Sequence, residues 1–326
     1  MTTLVTGATG FVGRHLAPLL VARGEPLRCL VRPTSDRRAL EAAGAELVVG
    51  DVTDARAAAA AAAGCRRVVH LANLYSLWEP DPRVYHQVNV EGTRLLLEAA
   101  LAAGVEHFLH VSTVAVFGRP AHLPFNEDTP PGPVRFSEYA RSKAAGDALA
   151  RDCARRGLPL TIAYPAAVLG PGDPQSTGRY IADVLAGRMP AALFSASLLT
   201  AVHVRDVAAA LAAILGRPDT IGRQYIIGRE QLTLGQLTDL IAAIGGVRRP
   251  WPPVPDALAG AGAALLDGLA RLLRRPPLWG LSLDAARTLR AGVCADGSRA
   301  ERELGLTYTP IRVAVEEAVQ ALRQSP

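Results

Sequence analysis

The sequence predicts an α/β fold, a doubly wound parallel sheet with a smaller, mainly helical region at its C-terminal side. Three observations predict it. Short apolar runs alternate with helix-length amphipathic segments over roughly the first half of the chain. The first run breaks into Thr6-Gly7-Ala8-Thr9-Gly10-Phe11-Val12-Gly13 and opens directly into a helix. Beyond Gly170, Pro and Gly cluster and strand patterns thin out.

Taken in order, Leu4-Val5, Leu27 to Val31, Glu46 to Val49, Val68 to Leu71, Phe108 to Val111 and Leu160 to Tyr164 are near-continuous apolar runs, as strands buried on both faces require. Val12 to Arg23 and Val84 to Ala103 carry apolar residues at three- and four-residue spacing and are expected as crossover helices. Asp206 to Leu215, Thr233 to Ile244 and Asp256 to Arg275 are the later helices, with one further strand near 224–227. The division expected is a Rossmann-type dinucleotide-binding domain over 1–169 and an interleaved substrate-binding region over 170–326. The segment 256–275, apolar and then basic, suits a lid or an interfacial helix.

Composition excludes several classes. With 49% hydrophobic and 20% charged residues the chain is an ordinary globular protein. Its net charge of +5 is scattered and only 5% of residues are aromatic, so no nucleic-acid stripe is expected. Cys29, Cys65, Cys153 and Cys294 stand far apart, without metal-ligand spacing, and fit a reducing cytoplasm; no metal is expected. No signal-peptide pattern precedes Thr3, and no apolar stretch near Ala257 to Leu266 reaches membrane-span length. Of the 35 basic residues Lys143 is the single lysine. In a chain so biased toward Arg and Ala, a persisting lysine marks a place where a compact three-donor ammonium is needed.

The glycines at 7, 10 and 13 give a tight turn, a close approach for a pyrophosphate and close helix packing, while the helix N-terminus offers free N–H groups. Asp51, just past the third strand, can accept from an adenine amino group or cap the next helix. At the end of the second strand stand Arg32, Ser35, Arg37 and Arg38 rather than a carboxylate, which favours NADP over NAD. Tyr139 and Lys143 share one helix face at i and i+4, so the ammonium can ease ionisation of the phenol for proton transfer. Ser112 and Thr113 end the fifth strand, where a hydroxyl can hold a substrate oxygen.

In these motifs, together with Asn89-Val90-Glu91-Gly92-Thr93, Pro165 with Gly170-Pro171-Gly172, and Val202 to Ala208, the chain resembles the extended short-chain dehydrogenase/reductase family over nearly its whole length. The resemblance implies Tyr139 as acid/base, Lys143 on the nicotinamide ribose, Thr113 as the catalytic hydroxyl and Asn89 supporting a relay water. It implies a cofactor held by Gly7, Thr9, Gly10, Phe11, Val12, Arg32, Ser35, Asp51, Val52, Leu71, Ala72, Asn73, Tyr139, Lys143, Pro165 and Val168. His203 lies in a structural segment of the family, with Asp206 expected to cap the following helix. Homodimers of the family pair the Tyr/Lys helix with the helix before it.

Ala167 stands where the family's sugar-nucleotide epimerases carry Asn. The stretch Pro165 to Pro171 is similar to the dihydroflavonol-reductase and 3β-hydroxysteroid-dehydrogenase branch, and other stretches resemble proteins named hopanoid-associated sugar epimerases. Leu74, Tyr75, Leu77, Trp78, Phe117, Leu169 and Tyr180, with Arg179, are the expected substrate lining. The expectation is a cytoplasmic NADP-dependent reductase or dehydrogenase, with NAD possible as cofactor, interconverting a ketone and a secondary alcohol on a hydrophobic ring-bearing small molecule. A sugar epimerase or a non-catalytic dinucleotide sensor are the alternatives.

Overall fold

The computed structural model describes residues 2–324. Ten strands occur among them: β1 (Thr3–Thr6), β2 (Leu27–Val31), β3 (Glu46–Val49), β4 (Arg67–His70), β5 (His107–Val111), β6 (Leu160–Pro165), β7 (Ala167–Leu169), β8 (Leu198–His203), β9 (Gln224–Ile227) and β10 (Glu230–Thr233). Seven form one all-parallel sheet in the order β3-β2-β1-β4-β5-β6-β9. The order reverses between β1 and β4, and the crevice that opens at such a switch point is where open α/β sheets bind ligands.

The first helices are α1 (Gly13–Ala22), α2 (Arg38–Ala42), α3 (Ala55–Ala62), α4 (Arg83–Tyr85), α5 (Thr93–Ala102) and α6 (Glu138–Arg155). After them come α7 (Ser176–Leu185), α8 (Val204–Leu215), α9 (Leu234–Gly245), α10 (Asp256–Leu273), α11 (Leu283–Ala291), α12 (Ser298–Leu304) and α13 (Ile311–Gln324). α1 packs on α8, and α3, α5 and α6 pack side by side, the two helix layers of a doubly wound sheet.

The strand expected near 224–227 is the seventh strand of the main sheet, paired to β6, so the sheet draws on residues well past 169. The sequence did not point to the second sheet, where β8 pairs parallel with β7 and antiparallel with β10. Its strands are three to six residues long, and β8 runs from exposed Leu198 to four consecutive buried residues without alternation, so period-two reasoning has nothing to hold. Around it Leu169, Ile181, Phe194, Leu237, Ile241 and Val315 form a second core, separate from the one under the main sheet.

Two helix caps differ from expectation. Asp54, not Asp51, caps α3 by accepting from the Arg56 N–H, while Asp51 accepts from the backbone and hydroxyl of Thr53. His203 caps α8 through Nδ1, leaving Asp206 to accept from the backbone and hydroxyl of Thr309. The expected helix 84–103 is interrupted: His86–Gly92 winds as a π-helix between α4 and α5. A Cβ on Gly92 would stand 2.9 Å from Val52 Cγ2, so this turn needs glycine to lie against the loop after β3.

Candidate active site

The glycine-rich turn is built by close approach. Gly7 has φ 72°, and a Cβ there would meet the Ala72 nitrogen at 2.7 Å; a Cβ on Gly13 would meet the Gly7 carbonyl at 2.2 Å. The turn after β1 is thereby pressed against the segment after β4, at the switch point. Gly10 is exposed, no side chain caps α1, and no acidic residue sits in its first turn, so its free N–H groups and positive end are open to an anion. Asn73 Oδ1 and Trp78 Nε1, on the segment leaving β4, are buried without a partner among the described residues. Unpaired buried polar atoms on the segment that leaves the switch point are what a bound dinucleotide or substrate would satisfy.

Ser137 caps α6 by accepting from the Ala140 N–H, which sets Tyr139 in the first turn. The buried face of this helix, Tyr139, Ala140, Ser142, Lys143, Gly146, Asp147, Ala150 and Cys153, follows the spacing of an apolar face yet half of it is polar. Lys143 Nζ donates to the Val111 carbonyl at 2.8 Å, the end of β5, leaving two N–H donors over. Burial lowers its pKa to about 8, with Asp147 pulling the other way. Burial raises the Tyr139 phenol well above its ordinary range, the Tyr75 hydroxyl adds to that, and a hydrogen bond with Thr113 opposes it. The Thr113 hydroxyl thus faces the Tyr139 phenol; it also caps the short turn Val114–Phe117 by accepting from the Ala115 N–H. The ring of Tyr75 packs edge-on against Tyr139 with centroids 5.0 Å apart.

Asn89 is buried in the π-helical stretch. Its side chain accepts from Leu74 N at 2.7 Å and donates to Leu74 O and Ser142 Oγ, while its carbonyl accepts from the Thr93 hydroxyl. It ties the segment after β4 to α6. π-turns recur at functional sites because the extra residue re-aims one side chain without breaking the helix.

Three residues that sequence reasoning missed complete the buried set. Asp147, one turn beyond Lys143, is bonded by His110 Nε2 at 3.0 Å. Burial pushes its carboxyl up, but the bond from His110, the nearby Ser112 hydroxyl and the charge of Lys143 hold it below its usual range. His70 bridges Thr6 and Thr93 and is kept neutral by burial. The i+4 spacing of Asp147 from Lys143, and histidines at the ends of two neighbouring strands, were the available signals.

The expected substrate lining divides. Leu74, Tyr75, Leu77 and Trp78 stand on the segment after β4, partly exposed. Phe117 does not: it is 3% exposed, stacks on Phe125 and meets Tyr164, and lines a cavity of about 330 Å³ behind α6 with Asp147 and Arg151. Leu169 is fully buried in the second core. Tyr180 packs beside that core and bonds Thr238, and Arg179 is exposed near Asp183. Of the four donors after β2, Arg38 is bound to Asp36 and Arg37 faces Glu41; Arg32 is exposed, with no ion-pair partner among the described residues, and Ser35 is half-buried. Val52 is buried and Asp51 and Val168 half-buried. His203 is fully buried, held by Glu317.

A model of the NAD dependent epimerase/dehydratase family matches residues 3–228, from β1 through β9. The chain belongs to that family. It is an NAD(P)-dependent enzyme of the extended short-chain dehydrogenase/reductase type. Sterol demethylase protein B of Methylococcus capsulatus is 37% identical to it over 330 residues, spanning 99% of either protein. The crystal structure of gox2253 superposes with a TM-score of 0.83 at 38% identity, covering 99% of this chain and 98% of that one. MoeE5 in complex with UDP-glucuronic acid and NAD gives a TM-score of 0.79 at 25% identity, with 100% of both chains covered. Among the described residues no helix is long and apolar enough to cross a membrane, and no group of metal-binding side chains occurs.

Proposed function

We propose that this enzyme interconverts a ketone and a secondary alcohol on a hydrophobic, ring-bearing small molecule, with NADP(H) as the preferred cofactor. The meeting of Tyr139, Thr113 and Lys143 at the carboxyl edge of the sheet carries this reading. The dinucleotide would lie on Gly7, Gly10 and the open end of α1, with Asp51 toward the adenine, Arg32 and Ser35 toward the 2′-phosphate, and Lys143 on the nicotinamide ribose. When bound it supplies or accepts the hydride. Tyr139 gives its proton to the carbonyl oxygen, or takes it from the carbinol, and Thr113 holds that oxygen in line. A phenol kept protonated by burial is poised as the acid, which favours reduction.

The similarity to sterol demethylase protein B, Ala167 in place of Asn, and the aromatic segment Tyr75 to Trp78 support an apolar substrate. A second reading, a reaction on a nucleotide sugar such as epimerisation, is favoured by the likeness to MoeE5, whose structure holds UDP-glucuronic acid and NAD. On either reading the family resemblance suggests a homodimer through α5 and α6. The test is cofactor turnover against steroid, terpenoid, flavonoid and nucleotide-sugar compounds: oxidation of NADPH with a cyclic ketone is expected, and conversion of a nucleotide sugar without net change in cofactor would overturn it. Arg32→Ala should raise the KM for NADPH about tenfold and leave that for NADH nearly unchanged.

A further inference from the structure

The outer face of α10 is an exposed apolar surface outside the site. A helix on a water-soluble domain turns its large apolar residues inward. α10 does the reverse. Its buried positions are Ala259, Ala263, Asp267 and Ala270, whereas Leu258, Leu265 and Leu272 are 64%, 75% and 80% exposed, with Leu269 and Leu273 exposed beside them. At about 100° per residue these five leucines fall within an arc of about 100°, and Asp256, Asp267 and Arg271 all project outside it. Exposed tryptophans stand on either side in sequence, Trp251 before the helix and Trp279 after it. From Gly246 to Gly280 there are five arginines and two aspartates. Arg248, Arg274 and Arg275 are exposed and have no ion-pair partner among the described residues, while Arg249 and Arg271 are paired with Asp239 and Asp267.

An uncharged leucine stripe, tryptophans at both ends and unpaired arginines at its margins form a combination that water does not reward and an anionic lipid surface does. We propose that α10 docks the enzyme on an anionic membrane, with the leucines in the acyl boundary and Arg248, Arg274 and Arg275 on lipid phosphates. The docked face is connected to the site. α10 packs on α11, whose cap residue Ser282 donates to the Leu77 carbonyl at 2.7 Å, and Asp284 accepts from the Glu138 N–H, the residue before Tyr139. An apolar substrate dissolved in the bilayer would thus leave it beside Leu77 and Trp78. That last step rests on the reading of the substrate given above; the docking does not.

Flotation of the intact chain with vesicles of phosphatidylcholine, alone or mixed with phosphatidylglycerol, tests it without any substrate. The enzyme should float with the mixed vesicles, about tenfold less with the neutral ones, and should be released by high salt. Tryptophan emission should shift to the blue on the mixed vesicles. A variant carrying Leu265→Ser, Leu269→Ser and Leu272→Ser should bind at least about tenfold less while melting at the wild-type temperature. Enzyme that fails to float with either vesicle, or a triple variant that floats like the wild type, would overturn the proposal. So would sedimentation showing that the same three changes split a dimer in the absence of lipid. Failure of the apolar-substrate reading would leave flotation unchanged, whereas failure of docking would leave turnover of a dissolved ketone unchanged.

Discussion

Helices α6 and α10 are each eighteen residues long, and they treat water in opposite ways. α6 turns Tyr139, Ser142, Lys143 and Asp147 into the protein, where desolvation raises the cost of every charge it carries. α10 keeps alanines inside and holds its leucines out, where each exposed side chain forgoes the stabilisation that burial would give. Neither arrangement is what folding alone selects. The buried polar groups of α6 are partly satisfied by β5, Lys143 by the Val111 carbonyl and Asp147 by His110, so the helix remains part of a closed core. The leucines of α10 stay largely uncovered among the described residues. On the readings proposed above, function would reach inward through the first helix and outward through the second.

If the inward polarity of α6 is catalytic, removing it should cost activity far more than fold. Tyr139→Phe should lower kcat by about 10² to 10⁴-fold, the range of a lost general acid, while cofactor affinity by equilibrium titration stays within a few-fold. Wild-type turnover in that variant would turn α6 into an ordinary, if polar, packing helix. Lys143→Arg keeps the charge but not the compact donor geometry, and kcat/KM should fall about a hundredfold.

The sign of the pH response sharpens the same point. The ammonium of Lys143 is present below about pH 8 and lost above it, so kcat/KM should decline on the alkaline side of that value. Because the Asp147 carboxylate favours the charged lysine, Asp147→Asn should move this alkaline limb to lower pH, a shift that a merely structural residue would not produce. An unmoved limb would show that the two groups do not communicate. The smallest effect is expected on the other side of the comparison: Leu265→Ser or Leu272→Ser should change unfolding free energy in denaturant by no more than about 0.5 kcal/mol, against about 2–5 kcal/mol for Leu16→Ala in the main core.

What the sequence disclosed follows from how local each signal is. The glycine-rich turn, the parallel strands and the Tyr139/Lys143 pair are written in residues close along the chain, and the structure brings them to one sheet edge. Asp147 and His110 escaped because their partnership joins a helix to a strand 37 positions earlier. Phe117 was misplaced for a different reason: an aromatic after a strand end has the same signature whether it faces a cleft or, as here, the back of α6. Residues 256–275 gave the right periodicity but not its direction, since a pattern of leucines and alanines says which residues share a face and not which face meets the protein. The second sheet was illegible because strands of three to six residues carry too few turns of any period.

The single lysine has a practical consequence for anyone handling this chain. Every other long basic side chain is an arginine, which ordinary acylating and reductively alkylating reagents leave alone, so the only side-chain amine that can be labelled is the one on the buried face of α6. A mass increment on a side-chain amine is therefore a count of molecules whose Lys143 has been reached. Because that nitrogen gives up its proton near pH 8, labelling can proceed under mild conditions wherever a reagent can enter. The protection that a dinucleotide confers against it can be read as loss of label from the peptide that carries Lys143.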